Sequence, residues 1–328
     1  MSSSGVSEDA EGSSPPLTIP VICGPTASGK SAIAMWLSRR REILVISADS
    51  RQIYRGFDIG TAKPSREDQA RVPHRGVDVA DPTRRYSAAD WSALAHDAIQ
   101  EALGTAGGRL PIVVGGTGFY IGTLFRPLWA QPPLDRDRRD ALQVALGDMS
   151  MDELRRWCRA LDPARAHLGR AQLLRALEVG LLTGERLSDL HVAQARPSAY
   201  RASYLLVDSG LDGQARIATR AALMFDGGWP DEVRELTAAV PDDAPAWNAT
   251  GYGVVRQYVR GEIDRTTALD RVVIETRQYA KRQRTWFRHQ LEHDRVQKLA
   301  FGAAGWQEIV DRWITELEAT MRTSERVR

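Results

Sequence analysis

Gly24-Pro25-Thr26-Ala27-Ser28-Gly29-Lys30-Ser31 is the stretch on which the fold turns. It fits the spacing G-x-x-x-x-G-K-[ST]. Before it runs the short apolar stretch Leu17 to Cys23, and after it Ile33, Trp36 and Leu37 recur at helical spacing. Strand, loop and helix in that order curl successive backbone amides toward one anion and set the positive end of a helix beside it. Lys30 would neutralise a terminal phosphate and Ser31 would ligate magnesium. The pattern does not say which phosphate is held, because kinases, ATPases and transferases that release pyrophosphate all use such a loop.

Working outward, a second apolar run, Ile43 to Ser47, ends at Asp49. A third, Pro111 to Val114, ends in Gly115-Gly116-Thr117-Gly118, and Tyr204 to Val207 makes a fourth. Strands separated by helical stretches predict an α/β fold, a P-loop NTPase-like core with a parallel sheet, and ligands at the carboxyl ends of the strands. Between residues 127 and 197 the sequence turns charged and helix-favouring without a strand, bounded by Pro132-Pro133 and Pro197. This predicts a helical insertion at 127–197 that splits the core into 17–126 and 198–328, with only helices after the fourth strand. Residues 1–16, rich in Ser, Gly and acids, are expected to form a disordered leader.

The bulk numbers exclude more than they specify. Of 328 residues, 43% are hydrophobic and 26% charged, enough for one large core or two smaller ones. A net charge of +2 means that any basic surface must come from local clustering. The two cysteines, Cys23 and Cys158, form no CxxC pair, so neither a disulfide framework nor a cysteine zinc site is signalled. No apolar run of about 18 residues and no export signal is present, which predicts a cytoplasmic protein with no membrane partner.

The loop after the second strand reads Asp49-Ser50-Arg51-Gln52-Ile53-Tyr54, continuing through Gly60-Thr61-Ala62-Lys63-Pro64. Together with Gly24 to Ser31 this closely resembles the tRNA dimethylallyltransferases, also called tRNA isopentenyltransferases. The resemblance resumes in Val72-Pro-His74, Asp81-Pro-Thr, Tyr86-Ser87-Ala88, Gly115-Gly-Thr117-Gly-Phe-Tyr120, Arg175-Ala-Leu-Glu178 and Asp231-Glu-Val-Arg234. It ends in Thr276-Arg-Gln-Tyr-Ala-Lys281-Arg282-Gln283-Arg284-Thr285-Trp286-Phe-Arg288, so almost the whole chain after the leader is covered.

The resemblance implies dimethylallyl diphosphate as donor. It implies the exocyclic amine of the adenosine 3′-adjacent to the anticodon of tRNA as acceptor, with diphosphate released and the P-loop holding the donor. It sets Asp49 where the family has its general base; at a strand end facing the P-loop, a carboxylate that takes the proton of a weakly nucleophilic aromatic amine lowers the barrier. It places Arg216 as a clamp on the diphosphate and Thr26 on the same group, the two joining Asp49 as catalytic candidates. It assigns RNA contacts to Asp49, Ser50, Arg51, Gln52, Thr117, Arg175 and the segment Lys281, Arg282, Gln283, Arg284, Thr285, Trp286 and Arg288. The expected partner is the anticodon stem-loop, met by a monomer.

Arg277, Lys281, Arg284 and Arg288 fall at steps of four, three and four, so one helix face presents four positive charges. Such a face suits phosphate contacts, while base identity comes from a pocket for a flipped-out base. Two stretches depart from the family pattern. Ala171-Gln172 stands where a Gln-Arg pair is expected, and Gly253-Val254 follow Tyr252 where a basic and an amide residue are expected. Arg139, Arg170 and Arg175 are the candidates to replace the lost contacts. Three other readings compete: an isopentenyltransferase acting on free adenine nucleotides, a small-molecule P-loop kinase, and an RNA-binding module that uses nucleotide as a switch.

Overall fold

The computed structural model describes residues 16–104, 108–126, 134–193, 198–208, 210 and 212–325. The leader, but for Pro16, lies outside them, as do the Pro132-Pro133 and Pro197 boundaries. The chain divides into two compact units, Met1–Phe125 with Ser198–Arg328, and Arg126–Pro197.

The first unit is built on six strands: β1 Leu17–Cys23, β2 Ile43–Ala48, β3 His74–Arg75, β4 Leu110–Gly115, β5 Tyr200–Asp208 and β6 Val296–Ala300. They form one sheet in the order β3-β2-β4-β1-β5-β6, and every pairing is parallel. The central strands are continuous apolar runs because helices cover both faces. On one face Trp91, Ala95 and Ile99 of the helix Ala88–Gly104 pack with Ile121 and Leu124 on Ile19, Val21 and Ile46. On the other, Ile33 and Leu37 pack with Val310, Ile314 and Leu317 of the helix Trp306–Glu325 on Ile22, Val45 and Ile112.

Two strands were not expected. β3 is only two residues long. β6 reads Val-Gln-Lys-Leu-Ala with only Leu299 buried, so it has no apolar run to betray it. It is nonetheless paired with β5 from Tyr204↔Val296 to Asp208↔Ala300, and the stretch after the fourth strand is therefore not wholly helical.

A third cluster in the first unit joins the loop after β2 to later helices. Ile53 and Phe57 pack on Trp229 and Val233 of the helix Trp229–Ala239, on Tyr252 and Val255 of the helix Tyr252–Val259, and on Val272 of the helix Arg265–Gln290. Among its described residues the second unit has helices and no strand: Arg136–Gly147, Met151–Leu161, Arg170–Thr183 and Leu187–Ala193 close around Leu154, Cys158, Leu173 and Leu177. No helix among the described residues is long and apolar enough to cross a membrane.

Candidate active site

Register brings the expected residues together. Gly115 at the end of β4 pairs with Cys23 of β1 on one side and with Ala48 of β2 on the other, so the three loops that follow leave the sheet side by side. The Thr117 amide donates to the Ala48 carbonyl at 2.9 Å, and the Ser50 amide donates to Thr117 Oγ1 at 3.0 Å. Asp49 Oδ1 accepts from the Arg51 amide at 2.9 Å, which fixes the carboxylate at the strand end.

In the P-loop, Gly29 caps the helix Lys30–Leu37 in the left-handed region (φ 99°), where a side chain is disfavoured. Lys30 Nζ donates to the Pro25 carbonyl at 2.6 Å. Burial lowers the affinity of Lys30 for its proton, the Asp49 carboxylate opposes that and Arg220 adds to it, and the ammonium is held at about 8. Ser28 is fully buried, and its hydroxyl has no hydrogen-bond partner among the described residues.

One cavity is lined by the P-loop and by the base candidate together. Its lining mixes the polar Thr26, Asp49, Arg51, Thr61, Arg220, Thr250 and Thr276 with the apolar Ile217, Ala221, Met224, Trp229 and Val272. Burial also depresses the Arg220 guanidinium's hold on its proton, and the Asp49 charge offsets this. Arg220 was not expected. Arg216, the residue expected to clamp the diphosphate, donates through Nε to the Ala27 carbonyl at 3.2 Å and does not line the cavity. Both lie on the helix Gly213–Asp226 one turn apart, so the repeat of Arg at i and i+4 was the available signal.

Three residues of the expected RNA-contact set also make contacts within the protein. Gln283 is 6% exposed; its Oε1 accepts from the Thr26 amide at 2.8 Å and its Nε2 donates to the Gly116 carbonyl at 2.9 Å. It therefore ties the P-loop to the loop after β4. Gln52 likewise donates to the Thr61 and Ala62 carbonyls at 3.2 and 3.0 Å. Trp286 is half-buried and packs over Gly118 and Gly122. Tyr279, which no reading singled out, lines the cavity; burial and the nearby Asp49 charge push its hydroxyl up to about 12 against hydrogen bonds to Thr117 and Gln283.

On the same helix Arg277, Lys281, Arg282, Arg284, Thr285 and Arg288 are exposed, with the Arg282 guanidinium 5.8 Å from the Tyr279 ring centre. Val254 is 2% exposed and belongs to the core, so packing accounts for an apolar residue there; only its neighbour Gly253 faces solvent.

In the second unit the replacement arginines are committed to other tasks. Arg139 and Arg175 both pair with the buried Glu178, which also accepts from Gln143 Nε2 at 3.1 Å. Arg170 donates to the Met149 carbonyl at 2.6 Å and to the Gly147 carbonyl. Arg139 and Arg170 thus join neighbouring helices of the unit, whereas Arg175 pairs with Glu178 within its own helix. Ala171 and Gln172 are exposed, and Gln172 Oε1 accepts from the Gly169 amide at 3.3 Å at the start of its helix.

Comparison with known proteins agrees with this arrangement. Residues 17–73 match the family model described as isopentenyl transferase. The chain is 36% identical over 280 residues to the tRNA dimethylallyltransferase of Deinococcus radiodurans, covering 83% of this chain and 90% of that protein. It is 40% identical over 280 residues to that of a Synechococcus strain, covering 82% and 86%. A solved tRNA isopentenylpyrophosphate transferase from Bacillus halodurans superposes with a TM-score of 0.67 at 30% identity, covering 94% of this chain and 98% of that one. Residues 52–290 match the model described as IPP transferase, and the chain belongs to that family.

Proposed function

We propose that this protein transfers a dimethylallyl group from dimethylallyl diphosphate to the exocyclic amine of the adenosine 3′-adjacent to the anticodon in tRNA. The observation that carries the reading is that Asp49 shares one cavity with P-loop residues Thr26 and Ala27 and with the half-buried Arg220. A prenyl diphosphate bound there would set its charge against Thr26 and Arg220 and its hydrocarbon against Ile217, Met224 and Trp229, all of which line that cavity.

In the reaction a bond forms between the amine nitrogen and C1 of the donor while the bond from C1 to the bridging oxygen breaks. The electron pair leaves with the diphosphate, and the amine proton passes to the Asp49 carboxylate. Lys30, Arg220 and the P-loop amides answer the charge that builds on the leaving oxygens, the kind of preorganised stabilisation worth most in a dry site. Ser28, buried without a partner, gains one from a phosphate oxygen. Arg216 acts at one remove, holding the Ala27 carbonyl and with it the loop's shape.

Magnesium fits the donors at hand. Ser31 is exposed on the first helical turn and lines a cleft with Ser47, Gln52 and Asp68, all of which present the hard oxygen atoms that magnesium takes. Ser31 would hold the ion, which would neutralise diphosphate charge when bound. The exposed face Arg277, Lys281, Arg284 and Arg288 supplies phosphate contacts to the anticodon stem-loop.

The test is a transfer assay with labelled dimethylallyl diphosphate, magnesium and either unmodified tRNA or AMP. Label in tRNA is the expected result. Label in AMP alone assigns the chain to free nucleotides, and ADP formed from ATP without prenyl transfer makes it a kinase.

A further inference from the structure

One apolar side chain of the cavity's lining is held with unusual rigidity, and this bears on the donor. Trp229 lines the cavity and is 1% exposed. Its indole lies between two glycines: a Cβ on Gly60 would come within 2.2 Å of Trp229 Cε2, and one on Gly251 within 2.6 Å of Trp229 Cη2. Edge-on rings complete the seat, Phe225 at 5.5 Å and Tyr252 at 5.3 Å between ring centres. An indole enclosed in this way has no second rotamer to move into, so the depth of the cavity is fixed.

The choice of tryptophan also carries a cost that a pure packing residue avoids. Buried indole N–H groups ordinarily find an acceptor, yet Trp229 Nε1 is buried with no partner among the described residues. Leucine or phenylalanine would fill a core without that orphaned donor. What the indole alone supplies is a broad, stiff wall to the cavity that Thr26, Ala27 and Arg220 also line.

We infer that Trp229, seated between Gly60 and Gly251, is the residue that limits the donor to a single five-carbon unit. This rests on the prenyl-transfer reading above. On this inference a ten-carbon donor with its diphosphate on the P-loop meets the indole with its second isoprene unit. The side chains behind the indole, Phe225 and Tyr252, are apolar in the faces they turn to it and would accept that unit once the indole is gone.

The experiment compares dimethylallyl and geranyl diphosphate as donors for tRNA prenylation by the wild-type protein, Trp229→Leu and Trp229→Ala. In the wild type, geranyl diphosphate should be at least tenfold poorer in kcat/KM and at least tenfold weaker as a competitive inhibitor than a dimethylallyl thiodiphosphate analogue. The variants should raise the geranyl to dimethylallyl ratio at least tenfold with the KM for tRNA unchanged. Equal use of both donors by the wild type overturns the inference, and so does a folded, dimethylallyl-active variant whose ratio stays put. A variant whose tRNA KM moves instead shows that the indole walls the adenine and not the prenyl chain, which also overturns it. If neither variant folds, the wild-type inhibition comparison decides. Failure of the underlying reading looks different: the wild type then transfers no dimethylallyl group at all.

Discussion

Replacing Gln283 with Ala tests whether this amide is a strut or an RNA contact. The side chain satisfies two backbone groups at once, the Thr26 amide at 2.8 Å and the Gly116 carbonyl at 2.9 Å, and is itself 6% exposed. Losing both bonds leaves a donor and an acceptor in a largely dry site, at about 1–3 kcal/mol each, so the expected loss is roughly 2–6 kcal/mol. In a unit of this size each kcal/mol moves Tm by about 2–4 °C, which predicts a fall of roughly 5–20 °C by calorimetry. Gln283→Glu keeps the acceptor for Thr26 and loses the donor for Gly116, so it should fall between the wild type and Ala in its effect on the P-loop. Because the bond to Thr26 shapes the P-loop, the KM for the donor should rise in Gln283→Ala while the salt dependence of tRNA binding keeps its slope. A variant within about 2 °C of the wild-type Tm that instead loses tRNA affinity would refute the strut and restore the RNA contact.

Asp49→Ala should leave donor binding largely intact and lower kcat by a factor of about a hundred or more, since it removes only the proton acceptor; isothermal titration with a thiodiphosphate analogue and single-turnover kinetics separate the two. Lys30 is charged below about 8 and loses its charge as pH rises through that value, so kcat/KM for the donor should fall by about tenfold per pH unit above it. Lys30→Arg should move that descending limb to higher pH. Arg220→Ala should raise the donor KM and lower kcat more than Arg216→Ala does, because only Arg220 lines the cavity; equal losses would remove Arg220 from the diphosphate site. Arg284→Ala and Arg288→Ala should each reduce the slope of log affinity for tRNA against log salt by about one and leave prenyl transfer at saturating tRNA unchanged.

What could be read from sequence follows from how local each signal is. The P-loop, Asp49 and Thr117 announce themselves because each follows directly on an apolar strand, and parallel pairing does the rest: Gly115 beside both Cys23 and Ala48 makes neighbours of three loops far apart in the chain. β6 escaped because an edge strand with one buried residue has no pattern to show. Arg216 rests on the family resemblance, and nothing in the residues themselves says which of two arginines one turn apart faces the cavity. Arg139 and Arg175 looked available because the carboxylate that holds them, Glu178, sits inside a motif and reads as part of it.

Gln283 is the instructive case, because the sequence did contain its answer. At 100° per residue, Arg277, Lys281, Arg284 and Arg288 fall within a narrow arc of the helix Arg265–Gln290. The same arithmetic sends Gln283 to the other side, on the arc shared by Val272, Tyr279 and Trp286. A motif read as a string, Lys281 to Trp286, treats six neighbours as one surface; a helix cannot present them so. An amide on the buried arc, two residues after an exposed lysine, is obliged to find partners within the protein, and the ones in reach are backbone groups of the two loops at the strand ends. One helix thereby carries two faces: outward, exposed cations; inward, a fork that bridges the P-loop and the loop bearing Thr117. A charge substitution on the outer face and an amide substitution on the inner one should for that reason fail in different assays, although they lie a single residue apart at Gln283 and Arg284.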